Sequence, residues 1–159
     1  MPSSPRTTKP ALTPERQLAE LVARLDPATQ KLVRAVRAAF RKRFPTAFEI
    51  VYDYSHSLVI AVSPTDRGYE ATFSIATDAD GVKLYFLNGP KLPDPEKVLL
   101  GKAKQVRYVR IPSVATLRAP AVAQLIRDAS AVGKEMPKTG RGELIIKTAA
   151  KKKRSARKR

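Results

Sequence analysis

The chain has no cysteine, no tryptophan and only one histidine among its 159 residues. Without cysteine there is no disulfide, no thiolate nucleophile and no zinc site built on sulfur, and this is typical of proteins from a reducing compartment. Catalytic triads and histidine-based metal sites need more partners than His56 alone supplies. The composition therefore excludes many enzyme classes, and we expect a protein that is not an enzyme, with no metal site and no cofactor.

Long apolar segments are also absent. No run approaches the roughly 18 residues that a membrane span requires. The N-terminus, MPSSPRTTKPALTP, lacks the apolar region of a signal peptide. We therefore expect a soluble, cytoplasmic protein with no membrane partner, of unknown oligomeric state.

Acidic residues are scarce, with 14 Asp and Glu against 31 Lys and Arg, which gives a formal net charge of +17. Eight of the cations fall within the last 13 residues, where no acid occurs. The hydrophobic fraction of 43% is nevertheless sufficient for a buried core. The chain therefore combines a moderately basic folded part with a short polycationic C-terminus.

Residues 148–159 are predicted to form a disordered basic tail. Such a run of cations would bind nucleic acid or another polyanion non-specifically, because neutralising phosphates releases counterions. It has no aromatic residue for base stacking and no motif for base readout, so a purely solubilising tail is an equal alternative. The candidate nucleic-acid-binding residues are Lys151, Lys152, Lys153, Arg154, Arg157, Lys158 and Arg159.

The N-terminal part reads as a leader followed by two helices. Residues 1–12 are rich in Pro, Ser and Thr, which predicts disorder. Thr13-Pro14 and Asp26-Pro27 each place a capping side chain before proline, the usual start of a helix, and apolar residues follow with helical spacing. Four cations of the second helix form either a solvated surface or a nucleic-acid face: Arg34, Arg37, Arg41 and Lys42.

From residue 47 the apolar spacing becomes that of strands. Short segments rich in β-branched and aromatic residues lie at 48–53, 57–63, 70–77, 82–88 and 105–111. The short connections between the first four predict an antiparallel meander, with a type I′ turn at Asp80-Gly81, and 105–111 adds a fifth strand.

The remaining segments complete an α+β prediction. Pro120 begins a third helix, which Gly133 closes in the C′ position, one residue after the C-cap. The segment 143–147 is either a sixth strand or a docking segment. We therefore predict a single α+β domain, residues 13–147, with an antiparallel sheet of five or six strands and helices on one face.

Two regions are candidate sites. One is the cluster around Tyr52, where Asp53, Tyr54 and His56 follow closely, although tyrosines at a strand end also pack and hydrogen-bond without any ligand. The other is 81–111, where Gly- and Pro-rich backbone lies beside cations and an amide. That combination suits an anionic ligand. An edge strand protected by charge is the alternative.

The predicted ligand-binding residues combine the two regions. They are Tyr52, Asn88, Gly89, Lys104, Gln105 and Arg107. Within the same loop, Asp94 is expected to cap a helical turn that begins at Pro95 and stops at Gly101.

Three segments carry a resemblance to a known family: VYDYSHSLVIAVSPTDRGYEATFSIA, LYFLNGPKLPDPEKVLLGKAKQVRYVRI and GRGELIIKTAAKKKR. Its most specific motifs are FLNG, LPDP, LLG and KQVR at 86–89, 92–95, 99–101 and 104–107. Over roughly residues 30–150 the chain resembles the YdhG-like domain family. The resemblance implies a compact α+β fold without an established active site, and some relatives are described as frataxin-like iron chaperones.

Three functions are compatible with these features. The first is a cytoplasmic YdhG-like binding module whose loop at 88–107 takes a small anionic ligand or partner. The second is a nucleic-acid-associated protein that acts through the tail and the basic helix. The third, which only the resemblance implies, is an iron carrier, a role that requires an acidic surface rich in oxygen ligands.

Overall fold

The computed structural model describes residues 12–54 and 57–148. The helices are α1 (Pro14–Ala23), α2 (Pro27–Arg43) and α3 (Pro120–Val132). The strands are β1 (Phe48–Tyr54), β2 (Ser57–Ser63), β3 (Phe73–Asp78), β4 (Gly81–Phe86), β5 (Arg107–Arg110) and β6 (Leu144–Thr148). Most of the predicted leader and tail, and also His56, lie outside the described residues.

The six strands form one sheet in the order β5-β4-β3-β2-β1-β6. Strands β1 to β5 pair antiparallel in sequence order, as the short connections between β1 and β4 predict for the first four. The last strand, β6, pairs parallel with β1, with Glu49 opposite Leu144. The α+β prediction is confirmed. The segment around 143–147 is a sixth strand, and the sheet is mixed because the long connection through α3 lets β6 enter in the same direction as β1.

Both N-terminal helices begin where the capping residues predict. The Thr13 hydroxyl accepts a hydrogen bond from the Arg16 amide at 3.2 Å, and the Asp26 carboxylate accepts one from the Thr29 amide at 3.2 Å. Proline follows each cap, where its missing N–H costs nothing. Helix α2 ends at Arg43, close to Pro45. Local chemistry therefore determines these boundaries.

The helices cover one face of the sheet and form the main core with it. Phe73 on β3 is fully buried, and its ring lies 5.2 Å from that of Phe40 on α2 and 5.9 Å from that of Phe86 on β4. Every second residue of a strand faces the helices, because side chains alternate along a strand. These residues pack against the apolar side of each helix, where residues three and four apart share one face. Other core residues are Val33, Val36, Val51, Ile60, Ile75, Leu84, Leu125 and Ile126.

Arg37 on α2 is not part of a solvated basic face. Its guanidinium donates hydrogen bonds to both Glu49 oxygens at 2.8 and 2.7 Å, and to Glu15 at 3.2 and 3.0 Å. The side chains of Arg37 and Glu49 are only 16% and 10% exposed. Burial lowers the pKa of Arg37, but the hydrogen bonds to the two carboxylates outweigh it and raise the pKa overall. This ion-pair cluster ties α1, α2 and β1 together.

The hairpin predicted between β3 and β4 is present, but its turn is not type I′. Asp78 pairs with Gly81, so the central residues are 79 and 80 instead of the predicted 80 and 81, and neither has the positive φ that a type I′ turn requires. The Asp78 carboxylate accepts a hydrogen bond from the Asp80 amide at 2.8 Å. A short polar side chain therefore stabilises this turn.

Candidate functional site

An open cleft of about 510 Å³ lies where the end of β4, the bend before β5 and the end of α3 meet. The 3-10 turn Gly68–Glu70 forms its fourth side. Apolar surface from Leu87 and Val106 lies beside polar side chains, and Tyr69 is 79% exposed. The polar side chains are Glu70, Asn88, Lys91, Lys104, Gln105 and Lys134.

A sharp turn after β4 forms the cleft wall. The Leu87 amide donates to the Thr72 carbonyl at 3.1 Å, which holds the chain against β3. The 3-10 turn Gly89–Lys91 then reverses it, and Leu92 is buried in the core. The turn is therefore held on both sides, by the backbone hydrogen bond of Leu87 before it and by the burial of Leu92 after it.

The segment 93–101 forms a cover over the edge of β5. The two Asp94 carboxylate oxygens accept hydrogen bonds from the amides of Val98 and Leu99, at 2.9 and 3.0 Å. Leu100 then pairs with Tyr108 through two backbone hydrogen bonds of 2.8 and 3.0 Å. Asp94 acts as a cap, as predicted, but the residues after it form a simple turn at 95–96 in place of the predicted helical turn.

Three of the six predicted ligand-binding residues line the cleft: Asn88, Lys104 and Gln105. Lys104 and Gln105 lie in a bend before β5, because that strand begins only at Arg107. The prediction that Gln105 and Arg107 share a strand face is therefore wrong. Both cleft residues are exposed, which leaves their side chains accessible.

Gly89 and Arg107 lie behind the cleft rather than in it. The Arg107 guanidinium donates to the carbonyls of Ala103 and Val106, the latter at 2.8 Å, and so holds its own loop in place. Gly89 is buried against Arg107, where an added Cβ would lie 2.5 Å from the Arg107 Cβ. These two residues position the cleft but do not line it.

Tyr52 lies outside the cleft. Its hydroxyl packs against Gly68, where an added Cβ would come within 1.8 Å of the hydroxyl oxygen. Its ring stacks on that of Tyr54 with centroids 6.2 Å apart. Burial, and then the neighbouring Tyr54, raise the pKa of Tyr52. Tyr52 therefore belongs to the sheet face opposite the helices.

Lys91, Lys134 and Glu70 line the cleft but are not among the predicted site residues. Lys91 lies between the FLNG and LPDP motifs, so its position in the sequence offered a signal. Lys134 lies two residues after the end of α3, and no local pattern connects it with Asn88 or Lys104. Only the packing of α3 against the sheet brings Lys134 to the cleft.

The positive charges of the cleft are only partly neutralised. Glu70 accepts a hydrogen bond from the Thr65 hydroxyl at 2.7 Å, and the Lys134 ammonium lies 3.4 Å from both carboxylate oxygens. These contacts lower the pKa of Glu70, and the hydrogen bond from Thr65 has the largest effect. Neither Lys91 nor Lys104 forms an ion pair within the described part of the chain. Three lysines against one carboxylate leave a surplus of two positive charges.

The end of α3 approaches the polar wall of the cleft closely. A Cβ on Gly133 would lie 3.2 Å from the Thr72 hydroxyl oxygen and 3.6 Å from the Asn88 side-chain nitrogen. Gly133 is the C-cap residue of α3, with φ of −78°, and not the predicted C′ residue. Among the described residues, the buried Thr72 hydroxyl has no hydrogen-bond partner. Glycine is therefore favoured at this position because its neighbours leave little room for a side chain, and not because of its backbone conformation.

The described residues form neither a cluster of metal ligands nor a membrane-spanning helix. Within 12–54 and 57–148, no three His, Asp or Glu side chains are grouped so as to hold a metal ion. Over the same ranges, no helix combines the length and the apolar character needed to span a bilayer. The seven candidate nucleic-acid-binding residues of the tail lie outside the described residues.

No family model, curated protein or solved structure matches the chain. The YdhG-like resemblance therefore remains a prediction, and so does the iron-carrier role that it implies.

Proposed function

We propose that the protein is a cytoplasmic, non-enzymatic binding module that holds a small anionic ligand, such as a phosphorylated metabolite, in the cleft. The observation that carries this proposal is the charge of the cleft, with three lysines around one carboxylate. Lys91 and Lys104 are exposed and can donate charge-assisted hydrogen bonds, while Asn88 and Gln105 can supply neutral ones.

Binding rather than turnover is supported by the state of Glu70. It is the one carboxylate lining the cleft as described, and it already accepts hydrogen bonds from Thr65 and Lys134. A lowered pKa keeps it ionised near neutral pH, where it is a weak base. Its role is therefore to orient Lys134 beside the ligand.

The double variant Lys91→Ala/Lys104→Ala tests this proposal. We expect the parent protein to show a saturable rise in melting temperature with at least one member of a panel of phosphorylated metabolites. The double variant should bind that compound about tenfold or more weakly, since charge-assisted hydrogen bonds typically contribute about 1.5–3 kcal/mol each. Thermal shift detects the ligand, and calorimetry gives the affinities.

The matched control is Lys31→Ala/Lys42→Ala, which removes two exposed lysines of α2 and leaves the tail intact. It changes the net charge equally, so it should leave the affinity unchanged. Equal weakening by both double variants would assign the binding to general charge and contradict a site in the cleft.

A further inference from the structure

The sheet face opposite the helices, called here the open face, has an ordered pattern of side chains. Residues paired in register form one row across all six strands: Lys147, Tyr52, Val59, Ala76, Lys83 and Arg110. At the usual strand spacing this row is about 24 Å wide. Cations therefore lie at both ends of a row whose centre carries small apolar residues.

Four of the five tyrosines of the chain lie on this face, in two pairs. Tyr52 and Tyr54 on β1 are stacked, with centroids 6.2 Å apart and planes 9° apart. Tyr85 on β4 and Tyr108 on β5 lie opposite each other, with centroids 5.2 Å apart. All four rings are at least partly exposed. The two pairs flank a floor of small side chains on β2 and β3.

Cations accompany both tyrosine pairs. The Lys147 ammonium lies 5.9 Å from the centroid of the Tyr52 ring, while Lys83 and Arg110 lie 5.3 and 5.9 Å from that of Tyr108. Lys83 is already neutralised by Asp78, which lies 3.0 Å away. Arg110 and Lys147 are exposed and form no ion pair within the described residues, so they supply the charge of this face.

The polycationic C-terminus follows this face directly in the sequence. After Lys147 and Thr148 come seven more cations and no acid. Since β6 pairs with β1, the chain leaves the sheet next to the strand that carries Tyr52 and Tyr54. The last described residue, Thr148, is thus paired with Asp53, between Tyr52 and Tyr54.

We propose that the open face binds single-stranded nucleic acid, with bases stacked on the two tyrosine pairs and phosphates paired with Arg110 and Lys147. Exposed aromatic rings and cations on a sheet are what unpaired bases and their phosphates require, and such stacking tolerates any base. A duplex keeps its bases stacked inside and cannot offer them to a flat surface. The exposed cations favour a polyanionic ligand. The exposed tyrosine rings favour a single strand, because its bases are free to stack on them.

Tyrosine fluorescence tests this proposal in the intact chain. Because the protein has no tryptophan, its emission comes from five tyrosines, four of them on the open face. We expect an oligothymidylate of about eight nucleotides to quench this emission saturably at roughly 0.1 M salt. Inorganic polyphosphate, which provides charge but no bases, should not quench it. Quenching by polyphosphate, or none by the oligonucleotide, would contradict base stacking.

Charge reversal locates the site. Arg110→Glu/Lys147→Glu should weaken binding of the oligothymidylate about tenfold or more, because two phosphate contacts are lost and replaced by repulsion. The control Lys31→Glu/Arg34→Glu makes the same change of charge on exposed residues of α2 and should weaken binding much less. Equal effects of the two variants, or equal affinity for a duplex of the same length, would overturn the proposal.

Two tyrosine variants distinguish stacking from general charge. Tyr54→Ala should lower the affinity about fivefold or more, whereas Tyr54→Phe keeps the ring and should restore most of it. Tyr69→Ala removes the fifth tyrosine, which lines the cleft, and should leave both affinity and quenching intact. Lys91→Ala/Lys104→Ala should also leave quenching intact. The open-face proposal and the cleft proposal are therefore tested independently of each other.

Discussion

Replacing Arg37 by alanine is expected to lower the free energy of unfolding by about 3–5 kcal/mol. Arg37 donates four hydrogen bonds to Glu49 and Glu15. Glu49 is only 10% exposed, so the variant would leave a nearly buried carboxylate with Arg41 as its remaining cation, 3.9 Å away. Urea denaturation followed by circular dichroism measures the change.

Arg34→Ala on the same helix is the matched control. Arg34 is exposed and bonds only to Gln30 among the described residues, at 3.1 Å, so its loss should cost well under 1 kcal/mol. The double variant Arg37→Met/Glu49→Leu should recover much of the lost stability, because apolar pairs often replace buried ion pairs without loss. If Arg37→Ala costs no more than Arg34→Ala, the ion-pair cluster has no structural role.

The same variant should also change the response to acid. Hydrogen bonding by Arg37 lowers the pKa of Glu15 below its ordinary value of 4.5. A carboxylate whose folded-state pKa is lowered stabilises the protein above its unfolded-state pKa and loses that contribution as the pH falls through its folded-state value. Below pH 4.5, Arg37→Ala should therefore lose less stability per pH unit than the parent. Parallel pH profiles would contradict the coupling.

Replacing Gly89 by alanine is expected to destabilise the protein by about 3 kcal/mol or more, because overpacking at this position involves the backbone itself. The new Cβ would lie 2.5 Å from the Arg107 Cβ and 2.6 Å from its backbone nitrogen. Such contacts are relieved only if β5 moves away from the turn after β4. Urea denaturation measures the cost.

The cleft should change together with stability in the Gly89 variant. Lys104 and Gln105 lie within three residues of Arg107, where β5 begins, so a shift of β5 displaces two residues that line the cleft. Gly140→Ala is the comparison, since nothing lies within 4 Å of its Cβ position and only its φ of 88° carries a cost, about 1–2 kcal/mol. A Gly89 variant as stable as the Gly140 variant would show that β5 adapts freely.

Much of the fold could be predicted because its signals are local. Thr13-Pro14 and Asp26-Pro27 determine where two helices begin, since a cap acts within three residues of itself. The alternation of apolar residues identified the strands of the meander. The start of β5 was placed two residues too early, because the pattern at 105–111 does not reveal that Lys104 and Gln105 occupy a bend.

The candidate site was less accessible from the sequence. Asn88, Lys104 and Gln105 were selected because polar residues and cations there interrupt a Gly- and Pro-rich loop, and they do line one cleft. Tyr52 and Arg107 were selected by residue type, but their surroundings assign them elsewhere: one stacks on Tyr54, and the other bonds to carbonyls of its own loop. Residue type shows what a side chain can bind, but not where it points.

The sequence by itself determined the element types, most of their boundaries, the α+β class and the concentration of charge at the C-terminus. Tertiary structure alone decided that Arg37 lies partly buried in an ion-pair cluster, that β6 runs parallel to β1 and that Lys134 meets Lys104 across a cleft. The physical reason is the distance along the sequence over which each interaction acts. Caps and periodicities act over a few residues, whereas these contacts exist only after the helices have packed on the sheet.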